Sequence, residues 1–181
     1  LDVLPEGAAS GAMAPRLFGS NQALAATLGI AFADGVLEGG AVPVAKYYPG
    51  LGQVRKVDDA EVQVLDAELK QLADLLYPFN EAATHGIAGL LAGPATVPRV
   101  DSESLRPAAV SPVLIKGLLR ERWNYGGVVL ADNVSQKAIA STRPAEKAAV
   151  EALAAGCDAV LFLDPAPDQV RAVVKAIEDA I

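Results

Sequence analysis

Short apolar runs recur along the chain, and each is entered through glycine. Gly39-Gly40 precede residues 41–45, Gly86 precedes 87–91, Gly126-Gly127 precede 128–131, and Gly156 precedes 157–163. Runs this short and this uniformly apolar fit parallel strands covered on both faces. The glycines fit left-handed residues that close a helix before the chain turns into a strand. Residues 1–4 read as the tail of an earlier strand, which makes five.

Amphipathic segments fill the gaps. Ser20 can cap a helix in which Leu24, Leu28 and Phe32 recur every four residues. Residues 68–84 form a second helix with Leu69, Leu72, Leu75 and Leu76 inward, and Pro78 is expected to kink or restart it. Ser111-Pro112 places a cap before a proline at the first helical position, and Leu114, Ile115, Leu118 and Leu119 follow on one face. Residues 144–155 and 168–181 complete the set, the last carrying Val170, Val173, Val174 and Ile177. The order β(αβ)n predicts an α/β fold, with parallel strands alternating with helices and right-handed crossovers. An open doubly wound sheet and part of a (β/α)8 barrel both satisfy that order. A complete barrel takes about 250 residues, and 181 are too few. A barrel reading therefore makes this one incomplete or leaves strands outside the sequence.

Composition narrows the classes. Hydrophobic residues are 52% and charged residues 20%, which excludes a disordered chain and suits one domain with a core. The net charge of −7 argues against duplex nucleic acid and anionic membrane surfaces, both of which call for a basic face. No apolar run approaches the ~18 residues of a membrane span. Cys157 is the one cysteine, so no internal disulfide forms and the compartment stays open. No signal peptide is visible, but the chain opens on Leu1, which reads as a processed or excised piece.

In both architectures ligands meet the carboxyl ends of the strands. Those ends carry Lys46-Tyr47-Tyr48-Pro49-Gly50, Gly93-Pro94, Asp132-Asn133 and Asp164-Pro165. Lys46 and Asp132 lead the candidates. Asp132 suits a nucleophile, a charge partner of Lys46, or a cap on the next turn. His85, the only histidine, precedes a strand and so belongs to the opposite end, in a structural role. Ser-His-Asp, Cys-His and His-based zinc schemes lose their imidazole with it. Gly50-Leu51-Gly52 lacks the third glycine and following helix of a dinucleotide fingerprint. Asp58, Asp59 and Glu61 form an acidic loop that is either solvated surface or able to swing toward a site. Trp123 and Tyr125 are expected to pack near the amino end of the fourth strand.

Several segments taken in order resemble the N-terminal barrel domain of glycoside hydrolase family 3, in the branch of the bacterial β-N-acetylglucosaminidases of peptidoglycan recycling. They are Arg16-Leu17-Phe18-Gly19-Ser20, Ala45-Lys46-Tyr47-Tyr48-Pro49-Gly50-Leu51-Gly52, Leu76-Tyr77-Pro78-Phe79, the run from Ser111 to Gly127, Val129-Leu130-Ala131-Asp132-Asn133, and Ala152-Leu153-Ala154-Ala155-Gly156-Cys157-Asp158. The resemblance implies a partial (β/α)8 TIM-barrel-like fold, one domain over 1–181, entered at about the third strand and lacking the first strands and the last. It implies a retaining mechanism, in which a carboxylate attacks the anomeric carbon and an acid protonates the leaving oxygen. Asp132 falls at the nucleophile position. Arg16, Lys46 and Tyr47 fall at sugar-contact positions, and Asp58 is the remnant of a His-Asp acid/base dyad.

The departures from that pattern are specific. Ala60 stands where the acid/base histidine is expected, Tyr47 and Leu51 replace two further histidines, and Asn133 replaces an acidic neighbour of the nucleophile. General acid catalysis contributes roughly 10²–10⁴-fold. The expectation is therefore a family 3-like domain that has lost turnover and binds carbohydrate or protein in a bacterial cell envelope. The alternative is an active retaining β-N-acetylhexosaminidase acting on peptidoglycan fragments, with Asp59 or Glu61 as acid. No cofactor or metal is called for. The expected partners are a sugar or peptidoglycan fragment and, through open sheet edges, another protein or a second copy.

Overall fold

The computed structural model describes residues 1–3, 17–57, 62–103 and 105–181. Four strands, β1 (Val44–Tyr48), β4 (Gly89–Ala92), β5 (Val128–Ala131) and β6 (Ala159–Val160), form one parallel sheet in the order β1-β4-β5-β6. Helices α1 (Gln22–Glu38), α2 (Leu69–His85), α4 (Ala145–Ala155) and α5 (Pro167–Glu178) alternate with them, and a short α3 (Lys137–Ala140) follows β5. This is the expected α/β order: an open, TIM-barrel-like parallel sheet. Among the described residues no helix is long and apolar enough to cross a membrane.

Local chemistry places most boundaries. Asn21, one residue later than expected, caps α1 by accepting the Leu24 N–H at 2.9 Å. Gly86 and Gly156 end α2 and α4 with φ of 86° and 106°, conformations that glycine adopts without steric cost. The Ser111 hydroxyl accepts the Leu114 N–H at 3.2 Å and opens the helix Val113–Arg122, as expected. That helix is wound as a π-helix, with Gly117 N–H on Pro112 O and Trp123 N–H on Leu118 O, both at 3.0 Å.

Five expectations are corrected. Leu24, Leu28 and Phe32 are exposed, and α1 instead buries Ala25, Ala26, Gly29 and Ala33. Small side chains let α1 lie close to its neighbours. At Gly29 a Cβ would stand 1.8 Å from a Leu1 methyl. Leu69, the first residue of α2, is likewise exposed. α2 does not restart at Pro78 but runs on to His85, with Leu75, Leu76, Phe79 and Ala82 buried around the proline. The strand read at 41–45 begins at Val44, because Pro43 has no N–H to give a ladder. The hairpin of β2 (Arg55–Val57) and β3 (Val62–Val64) was not foreseen at all. Residues 1–3 lie outside any strand, although the Leu1 amine reaches Lys46 O at 3.4 Å.

The sheet has two unlike faces. Register pairs Ala45, Leu90 and Val129 in one row, all buried. The next row back, Val44, Gly89 and Val128, leaves Val44 38% and Val128 48% exposed. One face is thus packed under helices, and the other is partly exposed at β1 and β5 while Leu91 of β4 stays buried.

Candidate active site

The carboxyl ends of β1, β4 and β5 lie side by side. Lys46 is in register with Leu91, and Leu91 with Leu130. Partners in a parallel ladder share a face, so Lys46 lies on the open face with Val128 and Leu130. It is exposed, and its Nζ stands 4.8 Å from the Tyr47 ring centroid, within cation–π range. Adjacent strands are about 4.8 Å apart, so β1 and β5 are separated by roughly 10 Å.

Asp132 is the residue immediately after β5. Its N–H extends the ladder to Ala92 O at 2.9 Å, and it is 9% exposed. Oδ1 accepts the Asn133 N–H at 2.8 Å. No hydrogen bond to Oδ2 and no ion pair with Lys46 is found among the described residues. Asp132 is therefore not a charge partner of Lys46 here. Its side-chain bond among the described residues is the one from the next residue's N–H, which orients the carboxyl group.

Asn133 holds the neighbouring strand end. Its Oδ1 accepts from Ser135 N–H at 3.2 Å, Ser135 Oγ at 2.8 Å and Leu163 N–H at 3.1 Å. The carboxamide thereby links the segment after β5 to the segment after β6. Under the open face, Tyr48 is fully buried against Phe79 and Trp123, with ring centroids 5.7 and 5.8 Å away. Its hydroxyl donates to Leu114 O at 3.2 Å, and burial pushes the phenol above its ordinary range.

The remaining sequence candidates divide three ways. Arg16, and Asp58, Asp59, Ala60 and Glu61 between β2 and β3, lie outside the described residues. His85 sits at the amino end of β4, as expected, and its Nε2 pairs with Asp34 Oδ1 at 2.9 Å. Tyr125 packs as expected, with its O–H donating to Ile87 O at 3.0 Å, whereas the Trp123 ring meets Tyr48, the last residue of β1. Two buried carboxylates escaped the sequence reading. Asp101 accepts from Ser111 Oγ at 2.5 Å and Arg106 Nη1 at 3.4 Å, bracing the long segment after β4. Asp2, 3% exposed, touches the turn after β1. Neither lies in a recognisable motif, so only its position in space reveals it. Among the described residues no three His, Cys, Asp or Glu side chains gather as a metal site would require.

The parallel sheet thus carries a buried carboxylate just past its third strand and an exposed lysine just inside its first. The profile of the Glycosyl hydrolase family 3 N terminal domain matches residues 1–181. The chain belongs to glycoside hydrolase family 3. Within the family it is 31% identical over 162 residues to a beta-hexosaminidase of Hydrogenovibrio crunogenus, covering 88% of this chain and 44% of that protein. It is 31% identical over 173 residues to one of Thioalkalivibrio sulfidiphilus, covering 94% and 48%. Among solved structures it superposes on a family 3 beta-N-acetylglucosaminidase from Paenibacillus sp. str. FPU-7 with a TM-score of 0.89 at 27% identity, over 99% of this chain and 34% of that one. The chain thus spans less than half the length of these family 3 relatives.

Proposed function

We propose that this family 3 domain binds an amino sugar across Lys46, Tyr47 and Asp132 and does not turn it over. The observation that supports the reading is the position of the single imidazole. His85 is held by Asp34 at the amino end of the sheet, while Asp132 stands past the carboxyl end. The gap of roughly 10 Å between β1 and β5 suits one pyranose ring with hydrogen bonds at each side. Lys46 would hold hydroxyls, and the family resemblance gives Arg16 the same role. Asp132 would keep the nucleophile's place, but a poor leaving group would have no imidazolium to protonate it. A peptidoglycan-derived N-acetylated sugar is the ligand to which the resemblance points. The direct test incubates the chain with an aryl N-acetylglucosaminide and titrates N-acetylglucosamine by NMR. The reading expects shifts at Lys46 and Tyr47 without turnover, and turnover abolished by Asp132→Asn overturns it.

A second reading is an active β-N-acetylhexosaminidase whose acid is Asp58, Asp59 or Glu61. The names of the relatives favour it. A fluorinated sugar trap would then leave a covalent adduct on Asp132, detectable by mass spectrometry.

We also propose that 1–181 is one barrel domain whose first strands and last are supplied from elsewhere, by a longer polypeptide, a partner or a second copy. Among the described residues, β1 and β6 are the two outer strands of the sheet, each with a neighbour on one side. A cavity of about 510 Å³ lies along the β1 edge, lined by Phe18, Phe32, Val36, Val42 and Val44. Apolar surface at an unpaired edge favours association. Sedimentation that finds only monomer at high concentration counts against self-association.

A further inference from the structure

We propose that Asp2 is a positioning residue of the candidate site: its carboxylate ties down the turn behind Lys46 and Tyr47 and fixes how that strand end is presented. Its functional meaning rests on reading Lys46 and Tyr47 as sugar contacts.

The turn begins where Gly50 N–H bonds Tyr47 O at 2.7 Å. Beyond it, the Leu51 and Gly52 N–H groups both donate to Asp2 Oδ2, the latter at 2.6 Å, while the Val3 N–H donates to Oδ1 at 2.9 Å. Three backbone donors converge on one buried carboxylate. Hydrogen bonds to an ionised acceptor are worth roughly twice neutral ones. Burial pushes the Asp2 carboxyl upward and the three N–H bonds oppose it.

The glycines show that this contact is built into the sequence. A Cβ at Gly50 would lie 2.7 Å from Asp2 Oδ1, and one at Gly52 would lie 2.2 Å from Val3 O. Gly50 also holds φ at 125°, which disfavours any side chain. Gly50-Leu51-Gly52, which fits no phosphate-binding pattern, is thus the seat on which residues 1–3 rest. The same segment meets β1 itself, because the Leu1 amine approaches Lys46 O at 3.4 Å. Asp2 therefore holds the chain on both sides of Tyr47: through its own carboxylate behind it, and through its neighbour Leu1 before it.

The test is amide exchange and chemical shift, measured by NMR on the full chain. In Asp2→Asn, exchange at the Leu51 and Gly52 amides is expected to quicken about tenfold, the loss of one charge-assisted bond. The Lys46 and Tyr47 resonances are expected to move, and Val129 protection to hold. Parent-like protection at Leu51 and Gly52 overturns the proposal, as does faster exchange there with Lys46 and Tyr47 unmoved. If Asp2→Asn does not fold, the parent serves: on acidification the Leu51, Gly52 and Tyr47 shifts should follow the Asp2 carboxyl carbon, and independence of them overturns the proposal. N-acetylglucosamine is titrated into the same parent sample. Absence of binding there defeats the sugar-site reading alone and leaves the exchange result standing.

Discussion

The two ends of this sheet are built differently. At the amino end the Arg120 guanidinium donates to Tyr125 O at 2.9 Å, Gly127 O at 2.6 Å and Gly156 O at 3.3 Å, and to Asp158 Oδ2 at 2.6 Å. Asp158 Oδ2 in turn accepts the Val129 N–H at 2.7 Å, and Tyr125 O–H closes onto Ile87 O. The entries to β4, β5 and β6 are all held by this one network. At the carboxyl end, among the described residues, the Lys46 ammonium lies over the Tyr47 ring and the Asp132 carboxylate accepts one bond, from its own neighbour. Groups saturated by internal partners stabilise a fold, whereas groups left unsatisfied can meet a ligand. The amino end is thus closed by one network of internal partners, while Lys46 and Asp132, the groups proposed to meet a sugar, carry few at the carboxyl end.

The most direct way to break that contrast is Arg120→Ala. It removes four acceptors' partner at once, and the carbonyls left behind are partly buried. Asp158 is half-exposed, so its ion pair counts for little by itself. The expected loss is about 2–4 kcal/mol of stability, read from urea unfolding midpoints. Lysine should not restore it, because an ammonium cannot reproduce the fork.

Alkaline titration probes the same end by a second route. Burial pushes the Cys157 thiol up from 9.0 to about 12 and the Tyr125 phenol up from 10.0 to about 12. Both folded values lie above the unfolded ones, so the unfolded chain loses its protons first. The stability these groups contribute is complete below pH 9 and is lost as pH rises toward 12. Melting temperature should hold from pH 7 to just below 9 and then fall, with a cost of about 2 kcal/mol by pH 10. Cys157 should also resist thiol reagents until the protein unfolds.

How much of this was legible beforehand follows from range. The parallel alternation, the Gly86 and Gly156 caps, the Ser111 helix start and the Asp132 strand end are local patterns, and each could be read from a few consecutive residues. The inward face of α1 was not legible. There Leu24, Leu28 and Phe32 promise burial, but Ala25, Gly29 and Ala33 take it, because close approach to neighbours outweighs apolar area. The β2–β3 hairpin was hidden by its short strands and by the acidic residues 58–61 between them. Asp2 was invisible for a different reason. Its partners are 49 and 50 residues away, and no periodicity reports a contact of that span. At the site, sequence found the residues but could not supply their bonding, so the bond from Asn133 N–H to Asp132 emerged only from the coordinates.

Tyr125→Phe is a narrower cut at the amino end. It removes one hydroxyl and leaves Ile87 O without its donor, at a cost of about 1 kcal/mol. The ring's packing and its contact with Arg120, 5.7 Å from guanidinium carbon to centroid, are retained. An unfolding midpoint that falls as far as in Arg120→Ala would mean that the network acts as one unit, with the hydroxyl as its keystone.

The smallest stability effect belongs to Asp132→Asn, and that smallness sharpens the contrast. The carboxylate is 9% exposed but satisfies only the Asn133 N–H, a bond that a carboxamide oxygen can also accept. The substitution should therefore change stability by less than about 0.5 kcal/mol, the range of replacements away from structural networks. A loss as large as that in Arg120→Ala would place Asp132 among the groups that hold the sheet together. It would then be a cap of the fold rather than a group kept free for a sugar, and the division between the two ends would fail at its most important residue.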